Sequence, residues 1–139
     1  MLFAAAAQAN PKLDPKLDVA AWARASIPGS PNGAVYGQFT NETGKDVVIK
    51  SVSTDVAGSA MIHETVIREG MVSMKPVPSL VVPAGKSVTC KPGGCHIMLM
   101  GIKHPLTPGD TFAATLHFED GTSMETTVKV GHIGQMKAP

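Results

Sequence analysis

Two histidines and two methionines recur along this chain with a spacing that could assemble a site for a soft metal ion. Ten residues separate His63 from Met74, and twenty-one separate Met74 from the segment His96-Ile97-Met98. Thioether sulfur suits Cu(I), and imidazole binds copper in either oxidation state. A donor set of imidazoles and thioethers without a carboxylate therefore favours Cu(I) over zinc, magnesium or calcium.

The clustering of these residue types is what supports this interpretation. A single methionine is most often a flexible core filler. Five of the eight methionines nevertheless fall between positions 61 and 100, namely Met61, Met71, Met74, Met98 and Met100. A thioether carries no proton near neutral pH and forms no disulfide, so such a site would remain usable in an oxidising compartment.

Composition indicates one soluble domain. The chain has 139 residues, of which 43% are hydrophobic, and a length of this order supports a single buried core. A net charge of +1 with 17% charged residues provides no basic surface for nucleic acid or membranes. No stretch approaches the roughly 18 apolar residues that would span a bilayer, so we expect a protein that is not membrane-spanning.

Three segments are predicted along the chain. Residues 1–16 contain Ala7-Gln8-Ala9, which matches a signal-peptidase site, but the basic start of a signal peptide is missing. We interpret them as a signal-peptide remnant or a flexible N-terminal segment. We expect residues 17–131 to form the copper-binding β-sandwich domain and residues 132–139 to form a flexible tail.

Short runs rich in β-branched and aromatic residues alternate with turn-forming clusters of Gly, Pro, Asn and Asp, a pattern typical of an all-β sandwich. We expect about eight strands in an antiparallel, two-sheet arrangement. The predicted strands are Leu17–Ala23, Gly33–Asn41, Asp46–Thr54, Ser59–Ile67, Lys86–Cys90, Cys95–Met100, Thr111–Phe118 and Ser123–Val130. The predicted core residues are Val47, Ile49, Val88, Ile97, Leu99, Phe112, Leu116, Phe118 and Val128.

Strand alternation predicts which side chains share a face. Within Cys95–Met100, His96 and Met98 point to one side and Ile97 to the other. We place Met74 in the loop 70–78, because two prolines there should prevent ladder formation. That loop would fold over the domain and bring Met74 to the ion.

Cys90 and Cys95 flank the turn-forming residues 91–94. If these residues form a hairpin loop, the two cysteines face each other and could form a disulfide, which would contribute about 2 kcal/mol in the chain-entropy model. The alternatives are two free thiols packed as small hydrophobic groups, or an auxiliary pair of thiol ligands.

The remaining residues of interest have structural interpretations. We assign His104 and His117 to structural roles, and Trp22, Arg24 and Tyr36 to packing or cation–π contacts. In the tail, His132 and Met136 belong to a solvated segment, to an arm that covers the first site, or to an auxiliary metal site, at which Cu(II) is the candidate ion.

The spacing His63-x10-Met74-x21-His96-x-Met98 resembles the metal-binding motif of the periplasmic CuA copper chaperone family, PCuAC. The segment Gly93-Gly94-Cys95-His96-Ile97-Met98-Leu99-Met100-Gly101, followed by Pro105-Leu106 and Gly109-Asp110, is similar to the most distinctive part of that family. Weaker matches extend from about Ala21 to Val130. The two cysteines depart from the family pattern, because its members commonly have none in this hairpin.

The resemblance implies a cupredoxin-like β-sandwich and a function. The ligands of Cu(I) would be His63, Met74, His96 and Met98. The protein would be an exported, soluble, periplasmic metallochaperone and a monomer. It would pass copper toward the CuA subunit of cytochrome c oxidase, directly or with a thioredoxin-like copper assembly protein.

Three other functions are compatible with the same sequence. Copper storage or resistance would use the same ligands without delivery. Blue-copper electron transfer needs a thiolate and two imidazoles on one ion, and Cys95, His96 and Met98 are its candidate residues. A non-metal adhesion sandwich would use the methionines for packing, and we expect no enzyme because no nucleophile–base pair stands out. If copper binds, its affinity should fall below the imidazole pKa of about 6.5.

Overall fold

The computed structural model describes residues 17–134, and ten β-strands make up most of this part of the chain. In chain order they are β1 (Leu17–Arg24), β2 (Asn32–Asn41), β3 (Val47–Thr54), β4 (Ala57–Arg68), β5 (Met71–Pro76), β6 (Leu80–Val82), β7 (Ser87–Cys90), β8 (His96–Ile102), β9 (Thr111–Phe118) and β10 (Ser123–Gly131). The predicted leader, 1–16, and Met136 lie outside the described residues. The segment boundaries stay predictions.

All eight predicted strands are present, with ends shifted by at most two residues. Strands β5 and β6 were not predicted from the sequence. Strand β6 has only three residues, and all six residues of β5 are exposed, so neither segment carries the alternation of apolar and polar residues that marks a half-buried strand.

Hydrogen bonding joins the strands in the order β5-β4-β8-β2-β1-β10-β9-β3-β6, with β7 also on β2. One hydrophobic cluster draws buried residues from both ends of this order, including Ile62 of β4 and Ile49 of β3. The sheet therefore folds over on itself around a single core. The predicted all-β, cupredoxin-like sandwich is confirmed, although β10 and β1 pair in parallel.

The core agrees with the sequence pattern. Seven of the nine predicted core residues are buried, and Val88 and Phe112 are partly buried against them. Ile97 and Leu99 point inward from β8, so the alternate residues of that strand face outward. No helix among the described residues has the length and apolar character needed to cross a membrane.

Strands β7 and β8 do not form the hairpin that we expected around residues 91–94. Both pair antiparallel with β2, since Cys90 lies opposite Gly37 and Ile97 lies opposite Val35. They are two parts of one strand track along β2, interrupted by a loop that leaves the sheet opposite Tyr36. The expectation failed because turn residues indicate a reversal as readily as a local excursion.

Strands β4 and β5 form a two-stranded ribbon at the edge of the sheet. A two-residue turn joins them, in which Glu69 has φ 52° and Gly70 has φ 79°. Positive φ at both positions is typical of the type I′ hairpin turn. The ribbon holds the segment around Met74 near the N-terminal end of β8, where His96 lies.

Candidate metal site

The two histidines of the motif are direct neighbours across the sheet. His63 of β4 is the cross-strand partner of His96 of β8. Their ring centroids are 5.5 Å apart, with the rings nearly perpendicular at 76°. On its other side, His63 pairs with Pro76 of β5. The structure therefore brings together two imidazoles that are distant in sequence.

The two methionines lie on the same face as these rings. Met98 is two residues beyond His96, so alternation places both on one side of β8. Met74 is the partner of Thr65, which is two residues beyond His63. Met74, His96 and Met98 line one cleft of about 350 Å³. All four predicted ligands thus reach one face, and their coordination of a metal stays a prediction.

The expected position of Met74 in a loop is wrong. Met74 belongs to β5, whose ladder with β4 continues as far as Pro76. This is possible because β5 is an edge strand and Pro76 is its last residue, where the missing N–H need not be paired. A strand positions Met74 more firmly than a loop would.

The four side chains span a wide range of exposure. His96 is 4% exposed, whereas Met74 is 55% exposed, with His63 and Met98 between these values. An ion held here would have buried nitrogen donors on one side and accessible sulfur on the other. The sulfur side is therefore the side of the site that is open to solvent.

One ring nitrogen of His63 stands out. Its Nδ1 atom is buried and has no hydrogen-bond partner in the described structure. An unsatisfied buried polar group costs about 1–3 kcal/mol, and such groups require an explanation. A metal ion bound to Nδ1 would satisfy this atom, so Nδ1 is the candidate ligand atom of His63.

The surroundings of His96 favour the neutral, metal-binding form of its ring. Burial lowers the pKa of His96, and the positive charge that His63 can carry lowers it further, against the opposing effect of a hydrogen bond with the Gly94 backbone. A neutral imidazole has a lone pair available for a metal. His96 therefore remains a competent ligand at lower pH than an ordinary histidine.

The loop before β8 is closed by a disulfide. Cys90 and Cys95 are bonded, with their Cα atoms 4.6 Å apart, so the structure selects the disulfide from the three alternatives that the sequence left open. Thr65 of β4 donates a hydrogen bond of 2.8 Å to the Gly94 carbonyl, which ties the loop to the ribbon. With both sulfurs bonded, neither cysteine supplies the thiolate that a blue-copper centre or an auxiliary thiol site requires.

An aromatic row supports the site from the side of β1 and β2. Trp22 and Tyr36 are cross-strand partners with ring centroids 4.8 Å apart, and the Tyr36 ring lies 6.2 Å from that of His96. The Arg24 guanidinium carbon lies 5.6 Å from the Tyr36 ring centroid, consistent with the predicted cation–π contact. The link from Tyr36 to His96 was missed, because it depends on which strands pair.

Two other histidines and a second cleft involve residues outside the four-residue motif. His117 contacts the Ser53 hydroxyl at 2.8 Å on β9 and β3, and His104 contacts the Pro105 carbonyl. A larger cleft of about 460 Å³ lies beside residues 43–48 and 118–120, and neither histidine nor methionine lines it. Within residues 17–134, no three His, Cys, Asp or Glu side chains group to hold a metal ion.

Comparison with solved structures defines the class of domain. "Copper-bound PCuAC domain from PmoF2" superposes with a TM-score of 0.71 at 21% identity, over 84% of this chain and 93% of that one. "Solution structure of CuI-DR1885 from Deinococcus Radiodurans" gives a TM-score of 0.70 at 32% identity, over 87% of this chain and 81% of that one. The chain is a PCuAC-type β-sandwich, as the resemblance of its motif to that family implied.

A family model and curated relatives assign the chain to a protein family. The model of the family "Putative lipoprotein LpqE-like" matches residues 19–130, so this chain belongs to the LpqE-like family. "Putative lipoprotein Lxx21020" of Leifsonia xyli subsp. xyli is 36% identical over 111 residues, which cover 79% of this chain and 66% of that protein. The chain spans about two thirds of the length of the curated relatives that it matches.

Proposed function

We propose that this chain is an exported, periplasmic Cu(I) metallochaperone that delivers copper toward the CuA centre of cytochrome c oxidase. Its ligands are His63, Met74, His96 and Met98. The observation that carries this proposal is the cross-strand pair of imidazoles with two thioethers on the same face. Two similar structures, the copper-bound PCuAC domain from PmoF2 and CuI-DR1885, support the choice of metal.

The chemistry of these donors suits transient binding. All four are neutral when they bind, so Cu(I) keeps its single positive charge in a site where His96 is buried and Met74 is largely exposed. Thioethers are weaker donors than thiolates, so copper moves from this site to an acceptor with cysteine ligands by ligand exchange. Oxidation to the harder Cu(II) would weaken the sulfur bonds.

Export of the chain is supported by its disulfide and its family. Disulfides persist in oxidising compartments and are rare in the cytosol. The Cys90–Cys95 bond therefore fits a protein that works outside the cytoplasm. The family description names a lipoprotein, which is a class of exported protein.

Binding is tested by titrating the protein with Cu(I) against a chromogenic chelator. We expect one ion per chain, with nitrogen and sulfur in its X-ray absorption spectrum. Met98→Leu should remove one sulfur from the coordination shell of Cu(I), and His96→Ala should remove one nitrogen. Met71→Leu is the matched control, because Met71 is 74% exposed and pairs with Arg68, which places it on the other face of the ribbon. A wild-type protein that takes up no Cu(I) would refute the function.

Delivery is tested by mixing the Cu(I)-loaded protein with the apo, soluble CuA-bearing domain of cytochrome c oxidase. We expect two Cu(I) ions to move to the acceptor, whose cysteines a reduced thioredoxin-like copper protein keeps as thiols. The purple absorption of the mixed-valence CuA centre should then develop when added ferricyanide removes one electron from the loaded acceptor. Copper that stays with this chain would instead favour storage or resistance.

A further inference from the structure

We propose that Met61 is a further thioether ligand, which takes the place of Met74 while Cu(I) is being transferred. This inference rests on the proposed function. Met61 would be a fifth donor, outside the four-residue motif, and its role would be in the release of Cu(I).

The register places Met61 within reach of the site. Met61 is the cross-strand partner of Met98, two residues along the β4–β8 ladder from the His63–His96 pair, so the two pairs are neighbours on one face. Directly opposed residues have Cβ atoms about 4.5–5.5 Å apart. Same-face neighbours along one strand lie about 7 Å apart, which a flexible methionine side chain can cover. One face therefore carries a thioether pair beside an imidazole pair.

The exposure of Met61 suits an exchange ligand. Met61 is 41% exposed, although it sits on a strand that is paired on one side with β8. A methionine used for core packing would be buried, as Ile62 is at 4% on the opposite face. Its sulfur is free to turn toward an ion or toward solvent.

Met74 is the ligand that is most easily displaced. It lies on edge strand β5, which pairs only with β4 and whose six residues are all exposed. Met61 lies on β4, where the ladder with β8 runs from Ala57 to His63. Edge ribbons with few buried contacts open at low free-energy cost, so Met74 can leave while Met61, Met98 and the imidazoles stay in place.

The exchange of the Met74 ligand for the Met61 ligand needs no other reactant. The bond from Cu(I) to the Met74 sulfur breaks and a bond from Cu(I) to the Met61 sulfur forms. Both thioethers are neutral in the bound and the free state, so no proton or electron moves. Departure of Met74 opens the β5 side of the ion to an incoming acceptor ligand.

Four proteins test this proposal by X-ray absorption and chelator competition: wild type, Met61→Leu, Met74→Leu and the double variant. We expect Met74→Leu to retain two sulfur ligands because Met61 replaces the lost one. The double variant should retain one sulfur and bind Cu(I) more weakly than Met74→Leu, by roughly tenfold, a factor that corresponds to about 1.4 kcal/mol. Adding Met71→Leu to Met74→Leu, as a control, should change neither quantity.

Methyl NMR of methionine gives a second readout that does not depend on the double variant folding. The Met61 methyl signal should shift on Cu(I) binding to Met74→Leu, and the Met71 signal should not. Extraction of Cu(I) by a chelator should also be slower from Met61→Leu than from wild type. If wild type binds Cu(I) but Met74→Leu has one sulfur and an unmoved Met61 signal, the role of Met61 is refuted and the proposed function stands.

Discussion

His96 is the residue on which the most features of the site depend. It is buried, its ring contacts those of His63 and Tyr36, and it follows directly after the disulfide. A ligand held from several sides loses little conformational freedom when it binds a metal, which is the general benefit of preorganisation. Met74, by contrast, is exposed and adaptable.

The first prediction concerns the loss of this ring. His96→Ala should weaken Cu(I) binding by at least roughly tenfold, or about 1.4 kcal/mol, because it removes a preorganised nitrogen donor. Chelator competition measures the change. His104→Ala is the control, since His104 is exposed and contacts only its neighbouring carbonyl among the hydrogen bonds described. Equal affinities for the two variants would exclude His96 as a ligand.

The second prediction concerns pH. Because the folded-state pKa of His96 is lowered from 6.5, the unfolded chain binds more protons than the folded one between that lowered value and 6.5. The stability that His96 contributes is therefore complete above about pH 6.5 and declines as pH falls through this window. Urea denaturation of the apo protein at several pH values should show the decline, and His96→Gln should reduce it.

At the scale of elements, the interrupted track formed by β7 and β8 decides where His96 lies. The disulfide closes the loop at its base, and the bond from Thr65 to Gly94 anchors the loop to β4. Cys90 is buried in the core, on the opposite side from the face that carries His63, His96 and Met98. The bridge therefore connects the core to Cys95, the residue directly before β8.

The third prediction follows from this arrangement. Replacing both cysteines by alanine should destabilise the protein by about 2 kcal/mol, since the closed loop is short. The same change should weaken Cu(I) binding, because His96 loses its support. Denaturant unfolding and chelator competition measure the two effects. Unchanged copper affinity in a folded variant would show that the loop does not position His96.

At the scale of the whole molecule, the core lies on one side of strands β4 and β8, and the face that carries His63, His96 and Met98 lies on the other. Ile62 and Ile97 point into the core from the positions next to His63 and His96. Strands β9 and β3 contribute to the core but lie far from the site in the strand order. Stability and copper binding should therefore be separable by mutation.

The fourth prediction tests this separation. Leu116→Ala on β9 should destabilise the protein by about 2–5 kcal/mol, because Leu116 is 1% exposed and its loss leaves a cavity. Copper affinity of the folded variant should stay within experimental error of wild type. A parallel loss of affinity would indicate that the core and the site are coupled.

The fifth prediction is that Cu(I) stabilises the whole domain. A ligand that binds only the folded state adds about 2.7 kcal/mol when its free concentration is one hundred times the dissociation constant. Thermal unfolding of the protein with a buffered supply of Cu(I) should show a rise in Tm. The rise should be smaller for His96→Ala than for wild type at the same free copper concentration.

The sequence by itself determined the class of fold, the core and the face relations within a strand. Alternation over residues 95–100 was enough to separate His96 and Met98 from Ile97, because side-chain direction depends only on local backbone geometry. The spacing of four donors also identified the family. These features are local or can be counted along the chain.

Only the tertiary structure decided which strands pair and in which register. The pairing of His63 with His96, the strand at Met74, the single track of β7 and β8, and the position of Met61 opposite Met98 all follow from the register. Register depends on contacts between distant segments, and a slip of one residue would turn every side chain to the other face. No local pattern in the chain specifies it.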